Sequence, residues 1–126
     1  IALLRERFNS PLLSFYLLND LNSDGNSNNY ENFRSFDVII NATSSSVSME
    51  DSLINPKYFR NADLIVDLFY AKKLTNFLRV AKECGCNNVM DGVPMLVEQA
   101  AESFYIWTGF KPDTTRIISK RDVFFE

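Results

Sequence analysis

The sequence predicts an α/β fold, in which short strands of a mostly parallel sheet alternate with helices. Three observations predict it. Apolar, β-branched runs stand at 36–42 and 64–69, with a short strand at 88–91, the composition of strands in a covered parallel sheet. Helical patterns stand between and after them, at 75–84 and from residue 94. The step is also regular: Asn41 and Tyr70 are 29 positions apart, and Asp67 and Gly92 are 25 apart. That is the length of a right-handed strand–helix–strand unit. In open sheets of this kind, ligands sit outside the carboxyl ends of the strands. Those ends here carry Asn41-Ala42-Thr43, Asp67 to Tyr70, and Asp91-Gly92, where small or polar residues interrupt apolar runs.

In chain order, Ile1 to Phe8 reads as the tail of a helix with Ile1, Leu4 and Phe8 on one face. Ser14 to Leu18 reads as a strand, and the asparagine-rich stretch 19–32 as a loop. Phe36 to Ala42 predicts a strand buried on both faces. Asp51 to Arg60 predicts one or two helical turns, with Pro56 opening the second. Leu64 to Phe69 is the next buried strand. Thr75 caps a helix that runs to Cys84, and Gly85 ends it in the left-handed region that suits glycine. Leu78 and Ala81 turn inward there, while Arg79, Lys82 and Glu83 face water. Asn88 to Asp91 is a short strand. Pro94 to Thr108 predicts a long buried helix closed by Gly109, and Thr114 to Phe125 a last amphipathic one.

The 126 residues suit one domain, and 46% apolar with 13% aromatic residues is enough for a core. A net charge of −3 argues against nucleic acid or an anionic membrane as partner. No apolar run approaches the roughly 20 residues of a membrane span. The first ten residues place charges inside their apolar stretch, unlike a signal peptide. Cys84 and Cys86 are the only cysteines and histidine is absent. A four-ligand zinc site and every nucleophile–histidine pair are thereby excluded. Two free thiols fit a reducing, cytoplasmic setting. Asn41-Ala42-Thr43 is formally a glycosylation sequon, but at the end of an apolar strand it reads as structural.

Met95 and Gln99 are four apart and share a helix face, with Gly92 just before them. A lone amide in so apolar a helix needs a partner, since burying it unpaired costs roughly 1–3 kcal/mol. It either bonds backbone in the core or points into a cleft to bind a hydroxyl. Gly92 serves a turn of positive φ or lets a flat ring approach a bare backbone. Tyr70 either packs with its hydroxyl in water or reaches the cleft. Asp67 caps a loop or binds a hydroxyl; the residues leave these choices open.

Three blocks stand in order: INAT at Ile40 to Thr43, VDLFY at Val66 to Tyr70 followed by Thr75, and DG-x-x-ML-x-x-QA at Asp91 to Ala100. F-x-x-WTG trails them at Phe104 to Gly109. Together they resemble the C-terminal, nucleotide-binding half of the shikimate dehydrogenase family. The resemblance implies a partial Rossmann-like three-layer sandwich, truncated at its N-terminal side, with residues 1–126 forming the end of the dinucleotide-binding domain and the C-terminal helices. It implies NADP as cofactor and reversible reduction of 3-dehydroshikimate to shikimate in aromatic amino-acid synthesis. Carried over by position, Asn41, Ala42, Thr43, Leu68, Gly92 and Met95 adjoin the cofactor. Tyr70 and Gln99 contact the substrate, a small molecule shared with a domain before Ile1. No catalytic residue falls in this chain. Ser46 and Pro94 stand where many members have glycine, and Lys72 replaces a common proline.

The family's catalytic lysine and aspartate have no counterpart here. With glycine only at 25, 85, 92 and 109, no G-x-G-x-x-G exists. The expectation is therefore that the isolated chain is inactive. Because a sheet starting here presents a bare apolar edge, marginal stability is expected as well. A quinate/shikimate dehydrogenase is a close variant. A non-catalytic interaction module, or a decayed fragment, is the reading of another class.

Overall fold

The computed structural model describes residues 36–48 and 54–120. The helix tail, strand and loop predicted at 1–32 lie outside them; of the helix predicted at 114–125, only Thr115–Ile118 is helical among the described residues, and Ser119 already caps it. The element order is β1 (Val38–Asn41), α1 (Ser45–Ser48), a 3₁₀ turn (Pro56–Tyr58), β2 (Leu64–Asp67), α2 (Asn76–Glu83), β3 (Val89–Met90), α3 (Val93–Thr108) and α4 (Thr115–Ile118). The three described strands form one parallel sheet in the order β1-β2-β3. This is the mixed α/β architecture that the alternation predicts.

One face of the sheet carries the core. Ile39 and Ile65 meet Tyr58 and Phe59 from the 3₁₀ turn, Phe77, Leu78 and Ala81 from α2, and Cys86 beyond it. Phe59, Ile65 and Leu78 are sealed from solvent, and the Phe59 and Phe77 rings meet edge to face at 5.2 Å. Helix α2 is held at both ends. Thr75 accepts the Leu78 N–H at its start. At its end Gly85 turns left-handed at φ 98°, so the Cys86 N–H reaches Ala81 O and the Gly85 N–H reaches Lys82 O. That pair of bonds is a Schellman cap. Both Cys84 and Cys86 are free thiols. Cys86 is buried and donates weakly to Ala62 O and Asn88 O.

Two expectations about burial need correction. Strand β1 is covered on one face only: Ile39 and Asn41 are buried, while Val38 and Ile40 are 50% and 59% exposed. Its alternation is thus that of a half-covered strand. Helix α3 is not a buried helix either. Its inward stripe is Val93, Val97 and Ala101, and Ile106 and Trp107 are 73% and 83% exposed. Gly109, at φ 73°, closes it by donating to Tyr105 O. The chain then returns along α3, held by Lys111 to Glu102 at 2.9 Å and Thr114 to Glu98 at 2.6 Å. Among the described residues no helix is long and apolar enough to cross a membrane, and no cluster of Cys, Asp and Glu could hold a metal ion.

Candidate functional site

The carboxyl ends of the strands are joined in series. The register opposes Asn41 to Asp67 across β1 and β2. The Leu68 N–H donates to Asn41 O at 3.0 Å, and the Gly92 N–H donates to Phe69 O at 3.2 Å. Asn41, Leu68 and Gly92 therefore stand at successive strand ends, linked through main chain. This edge is where an open α/β sheet places its ligands.

Gly92 is required, but not for the turn. Its φ is −73°, within reach of any residue. A Cβ there would lie 2.0 Å from the Leu68 carbonyl oxygen. The space left by its missing side chain is filled by the neighbouring strand end, so the glycine lets β2 and the start of α3 touch. Asp91 supports the same junction by accepting the Val93 N–H at 3.2 Å. Pro94 lies in the first turn of α3, where proline fits.

Asn41 faces inward. Its amide donates to Ser46 Oγ at 3.0 Å and to Asp67 Oδ1 at 3.2 Å. Its Oδ1 accepts from the Thr43 N–H at 3.1 Å and the Thr43 hydroxyl at 2.7 Å. All of its hydrogen-bonding capacity is used within the protein. Such burial agrees with a structural reading of the sequon. Ala42 and Thr43 are exposed on the loop that follows. Leu68 is half-buried, and Tyr70 is 41% exposed with its ring stacked on Phe69. Met95 is 45% exposed and Gln99 is exposed. Of the two readings of Gln99, the core amide bonded to backbone does not hold, because the helix around it is not buried and water reaches the amide. Gln99 also lies seven residues from Gly92, about 10 Å along the helix axis, so Met95 is the nearer of the two to the strand ends.

Asp67, undecided in the sequence, is the most connected side chain of this edge. It is fully buried. Its carboxylate accepts from Asn41 Nδ2, from the hydroxyls of Ser46 and Thr75 at 2.6 Å each, and from the Phe69 N–H at 3.2 Å. Among the described residues no buried side-chain polar atom lacks a partner. Ser46, which the family pattern marks as a replacement for glycine, lies in α1 with right-handed backbone, so no positive φ is at stake there. Ser46 and Thr75 also line a hollow of about 450 Å³, together with Phe69, Lys73, Asn76 and Arg79. Neither Gly92, Met95 nor Gln99 lines it. A signal for Asp67 existed: an acid closing an apolar strand, one strand–helix–strand step after Asn41.

Fold and site together define a nucleotide-binding type of α/β sheet, with its ligand edge at the carboxyl ends of parallel strands. The comparisons name the family. The family model for the shikimate 5'-dehydrogenase C-terminal domain matches residues 92–119. The chain is 44% identical over 91 residues to the shikimate dehydrogenase (NADP(+)) of Nitrosospira multiformis, covering 71% of this chain and 33% of that one. It is 46% identical over 85 residues to that of Psychromonas ingrahamii, covering 68% and 31%. Among solved structures, an Ael1 enzyme from Pseudomonas putida superposes with TM-score 0.78 at 36% identity, over 94% of this chain and 40% of that one. A chorismate mutase/shikimate 5-dehydrogenase fusion protein from Clostridium acetobutylicum gives TM-score 0.61 at 32% identity, over 68% and 33%. The chain matches the C-terminal part of the shikimate dehydrogenase family. It spans about a third of the length of the curated relatives it matches.

Proposed function

We propose that this chain forms the cofactor-facing edge of an NADP-dependent shikimate dehydrogenase, which interconverts 3-dehydroshikimate and shikimate. The observation that carries this is the serial bonding of Asn41, Leu68 and Gly92 at three successive strand ends, within the blocks shared with the family. The residues fit one end of the cofactor. Exposed Ala42 and Met95 and half-buried Leu68 offer apolar contact to a flat ring. Gly92 keeps α3 close enough to β2 for both to border the same ring. The sequence holds no glycine-rich phosphate cradle, so the fit is to the nicotinamide end. When bound, NADPH supplies the hydride. Thr43, Leu68 and Met95 would hold the ring. Tyr70 and Gln99, both exposed, offer a phenol and an amide to the hydroxyl and carboxylate groups of the substrate. The acid–base groups lie outside this chain, and residues 1–126 alone are proposed to be inactive. A cytoplasmic setting is proposed with this activity.

The test follows shikimate-dependent NADP reduction by the complete gene product and by its Gln99→Ala variant. Losing one hydrogen bond to a substrate hydroxyl costs on the order of 1.4 kcal/mol, about tenfold in kcat/KM. Unchanged kcat/KM would remove Gln99 from the site, and absence of turnover in the unaltered product would remove the activity.

A further inference from the structure

We propose that Asp67 is a positioning residue, whose buried carboxylate ties the loop after β1, the loop after β2 and the start of α2 into one unit. The tie itself rests on geometry; its consequence for hydride transfer rests on the function proposed above. Each of the three segments sends a side chain or N–H to the same carboxylate. Asn41 and Ser46 come from the first, the Phe69 N–H from the second, and Thr75 from the third. The direction of the bonds is fixed. Ser46 Oγ already accepts from Asn41, and Thr75 Oγ1 already accepts from the Leu78 N–H. The carboxylate can only accept, so each hydroxyl spends its single proton on Asp67 Oδ2.

The same atoms lead outward to the proposed cofactor edge. Asn41 orients Thr43 through two bonds. Asp67 fixes the Phe69 N–H, while Phe69 O receives the Gly92 N–H. A shift of the carboxylate therefore moves Thr43, Leu68 and Gly92 together, though Asp67 itself touches neither substrate nor cofactor in this account. An amide is a poor replacement. At position 67 asparagine would turn an NH₂ group either toward Asn41 Nδ2 and the Phe69 N–H, leaving donors face to face, or toward Ser46 and Thr75, whose hydroxyls would then have to turn their protons away from residue 67. Asp67 is sealed and its partners Asn41, Ser46 and Thr75 are buried, so a displaced donor has little access to water.

The first arm needs no catalytic activity. Amide exchange is measured in the complete gene product at Thr43, Phe69 and Leu78, one reporter per segment, with the Cys86 amide in the C-terminal cap of α2 as reference. In Asp67→Asn, exchange at the three reporters rises about tenfold or more, while Cys86 changes by less than about twofold. Acceleration at Phe69 alone would show that the segments are not tied through Asp67. Equal acceleration at all four amides would show a contribution to global stability only, and either result overturns the proposal. Should Asp67→Asn fail to fold, Thr75→Val, which removes one donor, carries the same comparison, with Thr75→Ser restoring the unaltered pattern.

The second arm uses the complete gene product. Asp67→Asn lowers kcat about 10²-fold, raises KM for NADP and enlarges the primary deuterium isotope effect on hydride transfer. Ala81→Gly, a core change in the same helix, lowers stability with the isotope effect unchanged. An Asp67→Asn enzyme that is less stable but keeps its isotope effect and KM has lost only folding, which overturns the positioning role. If the unaltered product fails to turn over shikimate, the function proposal falls, and the exchange arm alone decides whether Asp67 ties the segments.

Discussion

Helix α2 carries three charges in eight residues, yet it buries Phe77, Leu78 and Ala81 and is capped at both ends. Helix α3 carries two charges in sixteen residues, yet among the described residues it buries only Val93, Val97 and Ala101. The more polar helix is the better anchored. The contrast arises because periodicity, not apolar content, aims a helix at a core. In α2 the apolar residues share one side and the sheet offers a matching face. In α3 they surround the helix, and only the stripe of Val93, Val97 and Ala101 is buried. An apolar segment marks surface that gains from being covered; it does not show that the covering is present.

The largest expected difference between the two helices comes from truncating one large side chain in each. Leu78→Ala removes a sealed core side chain and should cost about 3 kcal/mol. Trp107→Ala removes one that is 83% exposed and should cost less than about 0.5 kcal/mol. Urea midpoints of the two variants measure this, and equal losses would mean that α3 is as well packed as α2. Next comes the junction between sheet and α3. Gly92→Ala drives a methyl against the Leu68 main chain, 2.0 Å away, and should cost about 1–3 kcal/mol. A variant of unchanged stability would deny the contact. The caps give a smaller contrast. Thr75→Ala loses both the Leu78 N–H and the Asp67 bond, costing at least about 1 kcal/mol. Thr114 makes no cap bond, and its exposed bond to Glu98 leaves Thr114→Ala within about 0.5 kcal/mol.

The smallest effect belongs to the exposed tether of α3. The hydrogen bond to Glu102 and that carboxylate's charge raise the Lys111 pKa above its ordinary 10.5. A raised basic group stabilises the fold fully below its unfolded pKa and loses that contribution as pH rises through the folded one. Any melting-temperature difference between the unaltered chain and Glu102→Gln should therefore be present at neutral pH and vanish above the Lys111 pKa. Because the pair is fully exposed, the difference should be slight, and salt should abolish it.

The same contrast separates what the sequence disclosed from what it did not. Strand–helix alternation, the Thr75 cap and the Gly85 and Gly109 terminations were legible, because each depends on residues close in the chain. The family resemblance was legible from three short blocks. Burial of α3 and of both faces of β1 was misjudged, since composition does not say what lies on the far side of an element. Of the two readings of Gly92, the turn of positive φ does not hold: its constraint comes from a carbonyl 24 positions earlier in the chain, not from its own φ. Asp67 stayed undecided because its partners, Asn41, Ser46 and Thr75, meet only once the parallel register is set.

The central claim is that Thr43, Leu68 and Gly92 border one cofactor-facing edge. Amide-exchange footprinting of the complete gene product with and without NADP tests it most directly. Slowed exchange at 42–44, 68–70 and 92–95, with the outer face of α2 unchanged, is the predicted result. A footprint confined to the apolar groove that Val97, Ala101 and Phe104 of α3 form with Ile117 of α4, or one that leaves the three strand ends untouched, would contradict it.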